Sequence, residues 1–285
     1  MPKSPTVARM ELLLRLSQWK TNLNIDPATG AKALKITSNY WHQLFSDRRA
    51  LTDEHFNAML NLFGVDDDER ESLVGLRRDA RERGWWMQYQ SLFDDENLRL
   101  LGLEYGAESI QSYEGLVVPG LLQTEEYARA IMASDVARIR PLDADLYIEV
   151  RMRRQQRLSG SDPLQLTALI HQAALEQLTG NAAVTRGQLQ HMASMMTNQP
   201  TVDIRIVPFT AATRPILSGS PFHIIYFASP MLSPLVWHES VVTRGIVDDA
   251  SKIRDLRILF ERQLELALSR EDSLTLIEQT ADRIA

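Results

Sequence analysis

Apolar residues recur at helical spacing through the first third of the chain, and turn residues divide this pattern into five helices. Apolar positions three or four residues apart lie on one face of a helix. Asp26, Ser38 and Thr52 mark helix starts, because their side chains accept hydrogen bonds from a free helix N-terminus. Gly64 ends the fourth helix. The segment up to residue 83 is therefore predicted to be all-helical.

After Gly84 the pattern changes to short runs rich in β-branched and aromatic residues, mixed with helical periods in no regular order. Strands are predicted at 107–113, 165–170, 202–207, 222–227 and 235–238, and two helices between 248 and 283. This order is typical of an α+β fold. The sequence thus predicts an all-α N-terminal domain (1–83) followed by a mixed α+β C-terminal domain (84–285).

Residues 26–46 match the spacing of a helix-turn-helix, in which the second helix enters the major groove of DNA. Trp41 and Leu44 lie three residues apart and are expected to face the core. The predicted DNA contacts are Lys35, Ser38, Asn39, Tyr40, His42, Gln43, Ser46, Arg48 and Arg49. Asn and Gln can bind adenine edges, whereas Lys and Arg suit phosphates. A plain helical bundle satisfies the same spacing, so that alternative stays open.

Charge is distributed unevenly, which favours DNA contact by the N-terminal region alone. Residues 1–50 hold eight basic and three acidic residues, a net charge of +5 within a chain of net charge −6. A basic segment on an acidic body is expected when one small domain meets phosphate. The absence of cysteine excludes disulfides and cysteine-based metal sites and suits the cytoplasm. No apolar run is long enough to cross a membrane.

Several stretches resemble a family of actinobacterial regulators. These stretches are ARERGWW (80–86), SYEGLVVPGLLQTEEYARAIM (112–132), DIRIVPF (203–209), SGSPFHIIYF (218–227), LVWHES (235–240) and ALSREDSLTLIE (267–278). Together with the helical segment, they resemble lambda-repressor-like (XRE-type) helix-turn-helix transcriptional regulators with an antitoxin-like C-terminal domain of unknown function. The resemblance implies a DNA-binding regulator whose partner is often a small acidic protein encoded nearby.

The chain departs from that family within the helix-turn-helix. Gly30 stands where the family usually has Leu, and Lys35 stands where it usually has Gly. At residues 42–45 the chain lacks the family's Ser-Arg pair, and with it the arginine that most commonly contacts guanine. The operator sequence therefore cannot be transferred from the family.

The C-terminal domain carries no strong catalytic motif, and neither a metal nor a cofactor is predicted. The candidate ligand-binding residues are Trp85, Trp86, His171, Trp237 and Glu239. Alternation along a strand places Trp237 and Glu239 on one face, where they could line a pocket for a cationic or polar ligand. Simpler roles remain open: a core tryptophan with a rim carboxylate, a hydrophobic hinge at 85–86, and a polar strand end at His171.

A run of arginines, Arg151, Arg153, Arg154 and Arg157, is expected to form a solvated helix face; pairing with acids and contact with DNA are the alternatives. The overall interpretation is a cytoplasmic transcription regulator that binds a double-stranded DNA operator as a homodimer, because a single such module rarely binds tightly enough. Its C-terminal domain would sense a protein partner or a small-molecule effector. The alternative is a small-molecule-binding protein or enzyme that retains a degenerate helix-turn-helix as a structural element.

Overall fold

The computed structural model describes residues 2–45, 51–135, 139–213, 220–240 and 243–284. The chain divides into two compact units, Lys3–Trp85 and Trp86–Ala285, the second of which also takes in Met1–Pro2. The first unit is helical, and the second contains a six-stranded mixed sheet with helices. The predicted α+β class is confirmed. The division after Trp85 lies two residues beyond the predicted boundary.

In the described part of the N-terminal unit, five helices pack around one apolar core. They are α1 (Pro5–Asn22), α2 (Pro27–Leu34), α3 (Ser38–Phe45), α4 (Asp53–Phe63) and α5 (Asp67–Ala80). Leu16, Trp41 and Leu73 are buried in this core and come from three different helices. Arg15 on α1 pairs with Glu69 on α5, so an ion pair reinforces the packing of these two helices.

The helix ends follow the predicted capping chemistry with one exception. Asp26 accepts hydrogen bonds from the first-turn backbone of α2, and Gly64 ends α4 in the left-handed conformation at φ +62°. At α3 the cap is Thr37, whose hydroxyl accepts from the backbone N–H of Tyr40 at 3.1 Å. The prediction that Ser38 caps this helix is therefore wrong, since Ser38 is its first residue.

The C-terminal unit has thirteen helices and strands in its described part. They are α6 (Asp95–Tyr105), β1 (Ser109–Glu114), α7 (Glu125–Ser134), α8 (Ala144–Gln155), β2 (Gln165–His171), α9 (Ala173–Glu176), α10 (Ala182–Asn198), β3 (Val202–Val207), β4 (Phe222–Tyr226), β5 (Leu235–Glu239), β6 (Arg244–Val247), α11 (Ala250–Leu264) and α12 (Arg270–Arg283). All five predicted strands are present; β6 was not predicted.

The strand order across the sheet is β3-β2-β1-β4-β5-β6. β1, β2 and β3 are mutually parallel, whereas β4, β5 and β6 are joined by antiparallel pairing, and β4 is antiparallel to β1. On one face of the sheet, Tyr113 and Phe222 stack and pack with Phe260 of α11. The opposite face carries the polar groups described below.

At each edge of the sheet, a residue outside the sheet bonds to backbone groups of the edge strand. At the β6 edge, the backbone N–H of Ile246 donates to the Glu96 carboxylate at 3.2 Å. At the β3 edge, Ile206 accepts from the backbone N–H of Leu268 at 2.8 Å and donates to the Ser273 hydroxyl at 3.0 Å. Covered edges disfavour strand addition by another chain. The stretch ALSREDSLTLIE (267–278) therefore has a structural role, because Leu268 and Ser273 bond to the backbone of β3.

Candidate nucleic-acid interface and buried charged cluster

The packing of α3 against α2 depends on a close contact between Gly30 and Trp41. A Cβ atom at Gly30 would lie 2.4 Å from Cζ2 of Trp41, closer than any side chain allows. Trp41 is 1% exposed and packs edge-on against Phe45, with ring centroids 5.0 Å apart. Gly30 is thus required by the indole ring, which explains a helix-interior glycine that would otherwise cost stability.

The turn between α2 and α3 passes through Lys35, which adopts the left-handed conformation at φ +53°. For residues other than Gly, Asn and Asp, this backbone conformation costs free energy. The next residue, Ile36, is half-buried and packs against the core of the unit. The turn therefore follows a glycine-type path although a lysine occupies it, and the lysine side chain is exposed.

The exposed face of α3 consists of Ser38, Asn39 and His42, while Trp41 and Leu44 are buried on the opposite face. Gln43 is half-buried at the margin. Tyr40, also half-buried, lies edge-on to His55 of α4, with ring centroids 5.5 Å apart. The structure thus brings three of the predicted contacts to one exposed face.

Ser46, Arg48 and Arg49 lie outside the described residues. Lys32 and Lys35 are exposed near the turn, whereas Lys20 lies over the ring of Phe45, with Nζ 4.5 Å from the centroid. Taken whole, the N-terminal unit has thirteen basic and twelve acidic residues. The charge that favours DNA is thus a local feature of residues 1–50, balanced by acids in α4, α5 and the segment between them.

A second polar region lies in the C-terminal unit, on the sheet face opposite α11. Ser112, His223 and Trp237 are side by side on β1, β4 and β5. The imidazole Nδ1 of His223 is 2.9 Å from the Ser112 hydroxyl. Burial lowers the pKa of His223 to about 4, so this histidine is neutral at physiological pH.

One step further along the same face, Glu114 and Glu239 end strands β1 and β5. Glu114 is only 7% exposed. Burial, followed by the charge of Glu239, raises the pKa of Glu114 to about 8, against the opposing effect of Arg151. Glu114 therefore carries a proton at neutral pH, as expected when two carboxyl groups share a site of low polarity.

The arginines at the end of α8 point into the unit. Arg154 pairs with both carboxylate oxygens of Glu104 at 2.7 Å, and the Nη1 of Arg151 donates to Gln123 at 2.6 Å. Arg157 is buried and donates to three backbone carbonyls. The expectation of a solvated helix face is wrong for these residues, because each guanidinium satisfies an interior acceptor.

The stretch 118–124, VPGLLQT, forms a turn held by buried amide side chains; we call it the VPGLLQT turn. Gln123 donates to the carbonyl of Val118 at 2.7 Å. Gln188 of α10 donates to the carbonyl of Leu122 and accepts from the N–H of Thr124, both at 2.7 Å. Gln155 of α8 donates to the carbonyl of Gln123 at 2.6 Å. The most specific stretch of the family resemblance thus ties α7, α8 and α10 together.

The predicted ligand residues of the C-terminal unit do not converge on one site. His171 lies on the same sheet face as Tyr113, opposite Trp237 and Glu239. Its ring packs edge-on against Phe209, and its Nδ1 accepts from the backbone of Ala173 at 3.2 Å.

The tryptophans among these residues have structural positions. Trp237 is 2% exposed and belongs to the core. Trp86 is buried against Tyr105, with ring centroids 5.5 Å apart, and Trp85 is half-buried. Of the predicted ligand residues, Glu239 alone belongs to the buried charged cluster, which we define as Glu104, Glu114, Arg151, Arg154 and Glu239.

Sequence reasoning missed Glu104, Glu114, Arg151 and Arg154 as members of a buried charged cluster. The alternation along β1, which places Ser112 and Glu114 on one face, was a usable signal. Within the described ranges, no group of three or more His, Asp or Glu side chains is placed to hold a metal ion. No helix in the same ranges is long and apolar enough to cross a membrane.

Comparison with known proteins gives one match. The model of a family described as Domain of unknown function (DUF5753) matches residues 98–279, which is more than half of the chain and runs from α6 to α12. No curated protein and no solved structure matches the chain.

Proposed function

We propose a function for this chain, which belongs to the DUF5753 family of domains of unknown function, from the geometry of its own residues. The chain is a cytoplasmic transcription regulator. Its N-terminal unit binds double-stranded DNA through α3, and its C-terminal unit receives the signal that controls binding.

The observation that carries this proposal is the exposed face of α3. Ser38, Asn39 and His42 share one side of a short helix whose other side is locked into the core by Trp41. α2 and the turn at Lys35 stand directly before this helix, as in DNA-binding helix pairs. Asn39 has the donor and acceptor needed for a bidentate contact with adenine. An operator containing A·T pairs in the major groove is therefore the preferred target.

Two copies of the unit are needed for tight binding. A single module offers few contacts, and a two-fold symmetric protein matches a palindromic operator with half-sites about 34 Å apart. Since both edges of the sheet are covered at Ile206 and Ile246, pairing of the copies by strand addition is disfavoured, and we expect helical surfaces to join them.

The experiment is a gel shift with the DNA directly upstream of the chain's own gene. We expect the wild type to bind, and Asn39→Ala/Gln43→Ala to lose roughly tenfold or more, since each good base contact contributes about 1–3 kcal/mol. Asn57→Ala is the matched control, because Asn57 is an exposed asparagine on α4. Equal binding by wild type and double variant, or binding by neither, contradicts the proposal.

A further inference from the structure

A small cavity of about 50 Å³ lies among the helices of the C-terminal unit. It is enclosed by α6, α7, α8 and the segment before α6. Its lining residues are Phe93, Asn97, Leu100, Leu101, Met132, Tyr147, Val150, Arg151 and Arg154. Every residue of the lining belongs to the C-terminal unit, so the cavity does not depend on the N-terminal unit.

The lining combines an apolar wall with two cationic side chains. Leu100, Leu101, Met132 and Val150 are buried and contribute hydrocarbon surface. Among the described residues that line the cavity none is acidic, whereas both arginines reach it. Three carboxyl groups interact electrostatically with these arginines, those of Glu104, Glu114 and Glu239, and none of them lines the cavity.

The two arginines differ in how their donors are used. Arg154 gives Nε and Nη2 to Glu104. Arg151 gives Nη1 to the neutral amide of Gln123, and its Nε–H is buried without a hydrogen-bond partner among the described residues. A buried, unsatisfied donor on a cation is costly and calls for an acceptor. The Nε–H of Arg151, a residue of the cavity lining, is therefore a donor that a bound acceptor would satisfy.

We propose that this cavity binds a small monocarboxylate of the size of acetate, with the carboxylate at Arg151 and the carbon chain against Met132 and Val150. The volume limits the ligand, because a single water needs about 10–15 Å³ by the same measure, so 50 Å³ holds about four non-hydrogen atoms. A carboxylate provides the charged acceptor that pairs best with a guanidinium.

The size of the ligand also bounds its affinity. The best ligands of four non-hydrogen atoms reach a Kd no tighter than roughly 40 µM. Half-occupancy of the site therefore requires about 40 µM or more of a short-chain acid. This binding is independent of the DNA-binding function proposed above, and failure of one leaves the other intact.

The experiment is a titration of the full chain with formate, acetate, propionate, acetamide and methylammonium, followed by calorimetry and by the shift in melting temperature. We expect saturable binding of acetate, with a Kd between about 40 µM and 10 mM, and at least tenfold weaker binding of acetamide and methylammonium. Arg151→Gln should weaken acetate binding at least tenfold. Arg254→Gln, which changes an exposed arginine on α11, should leave it unchanged.

A cavity variant keeps the test decisive if Arg151→Gln fails to fold. Met132→Ala removes three non-hydrogen atoms from the wall, and we expect it to shift the preference from acetate toward butyrate and isovalerate by at least fivefold. The proposal is overturned if acetate does not bind at 50 mM or if acetamide binds as tightly as acetate. It is also overturned if folded Arg151→Gln keeps the wild-type affinity for acetate, or if folded Met132→Ala keeps the wild-type preference.

Discussion

Gly30 and Trp41 form a complementary pair that decides whether α3 can dock. The indole occupies the space that a Cβ on α2 would take, and it is too deeply buried to move aside. Neither residue is suited to its position alone: glycine weakens a helix, and a tryptophan in a short helix needs room. The pair explains why a glycine stands at position 30, inside a helix.

Replacing Gly30 by Ala should therefore destabilise the N-terminal unit. Helix propensity would gain up to ~1 kcal/mol, but forcing a methyl group against the buried ring costs about 1–3 kcal/mol or more. We expect a net loss in the free energy of unfolding, measured by denaturant titration with tryptophan fluorescence. Gly75→Ala on α5 is the control, because nothing lies within 4 Å of the added atom, and it should stabilise by about 0.5–1 kcal/mol. Shifts of the same sign in both variants would contradict this account.

Glu114 is the residue at which burial and charge conflict most strongly. Its pKa rises from 4.5 to about 8 in the folded chain, first because it is buried and second because Glu239 is near. Between these two pH values the folded state holds a proton that the unfolded state has released. Stability must therefore fall as pH rises through this window and level off above pH 8.

Glu114→Gln should remove this part of the pH dependence, because a neutral amide replaces the protonated carboxyl. At pH 5 the variant should resemble the wild type, and at pH 8 it should be more stable by on the order of 3 kcal/mol. The measurement is the free energy of unfolding of both proteins between pH 5 and 9. Glu108→Gln, at an exposed position just before β1, should run parallel to the wild type. A constant difference between wild type and Glu114→Gln at every pH would exclude the buried proton.

At the scale of elements, the VPGLLQT turn depends on long-range hydrogen bonds. Gln188 on α10 is fully buried and satisfies two backbone groups of the turn, the carbonyl of Leu122 and the N–H of Thr124. Thr124 in turn caps α7 by accepting from the N–H of Tyr127 at 3.2 Å. One glutamine thus links the position of α7 to α10.

Gln188→Leu should leave both backbone groups buried without partners. Each such group costs about 1–3 kcal/mol, so we expect the C-terminal unit to lose roughly 2–5 kcal/mol. Thermal unfolding followed by circular dichroism measures the effect. Gln190→Leu, two residues along on the exposed side of α10, makes the same chemical change and should alter stability by less than about 0.5 kcal/mol. Equal losses in both variants would show that the turn does not depend on Gln188.

The helices and strands that the sequence predicted are those with strong local signals. Capping residues such as Thr52 and Gly64 placed the N-terminal helices, and the apolar run at 202–207 placed β3. β6 was missed because Arg244–Val247 is too short to show alternation and contains a glycine. It is stabilised by partners far away in the chain: Arg244 pairs with Asp94 at 2.7 Å, and Glu96 accepts from Ile246.

The buried cluster shows a different limit of sequence reasoning. Charged residues within a helix usually face solvent, so Arg151 and Arg154 of α8 were expected to be exposed. Their acceptors, Gln123 and Glu104, lie 28 and 50 residues away in the sequence. No local pattern shows such pairings, because the partners meet only in the folded unit. The face shared by Trp237 and Glu239, in contrast, follows from alternation alone.

At the scale of the whole molecule, charge is the property most relevant to DNA. The N-terminal unit is nearly neutral, with thirteen basic and twelve acidic residues, and the C-terminal unit carries the remaining excess of acids. Long-range attraction to DNA is therefore weak, so the proposed binding relies on cations placed close to phosphates. At 0.15 M salt, charges more than about 8 Å apart are largely screened.

This charge distribution predicts how the affinity for DNA responds to salt. A dimer that neutralises about six phosphates should lose about 10³-fold in affinity between 50 and 200 mM salt. Lys32→Gln/Lys35→Gln removes two exposed cations near the turn in each copy, and should flatten the log–log salt slope by about four per dimer. The same change at the exposed Lys252 of α11 should leave the slope unchanged. Fluorescence anisotropy at four or more salt concentrations measures the slopes. If the lysine variant keeps the wild-type slope, the cations beside α3 do not meet phosphate, and the orientation proposed for the N-terminal unit on DNA is wrong.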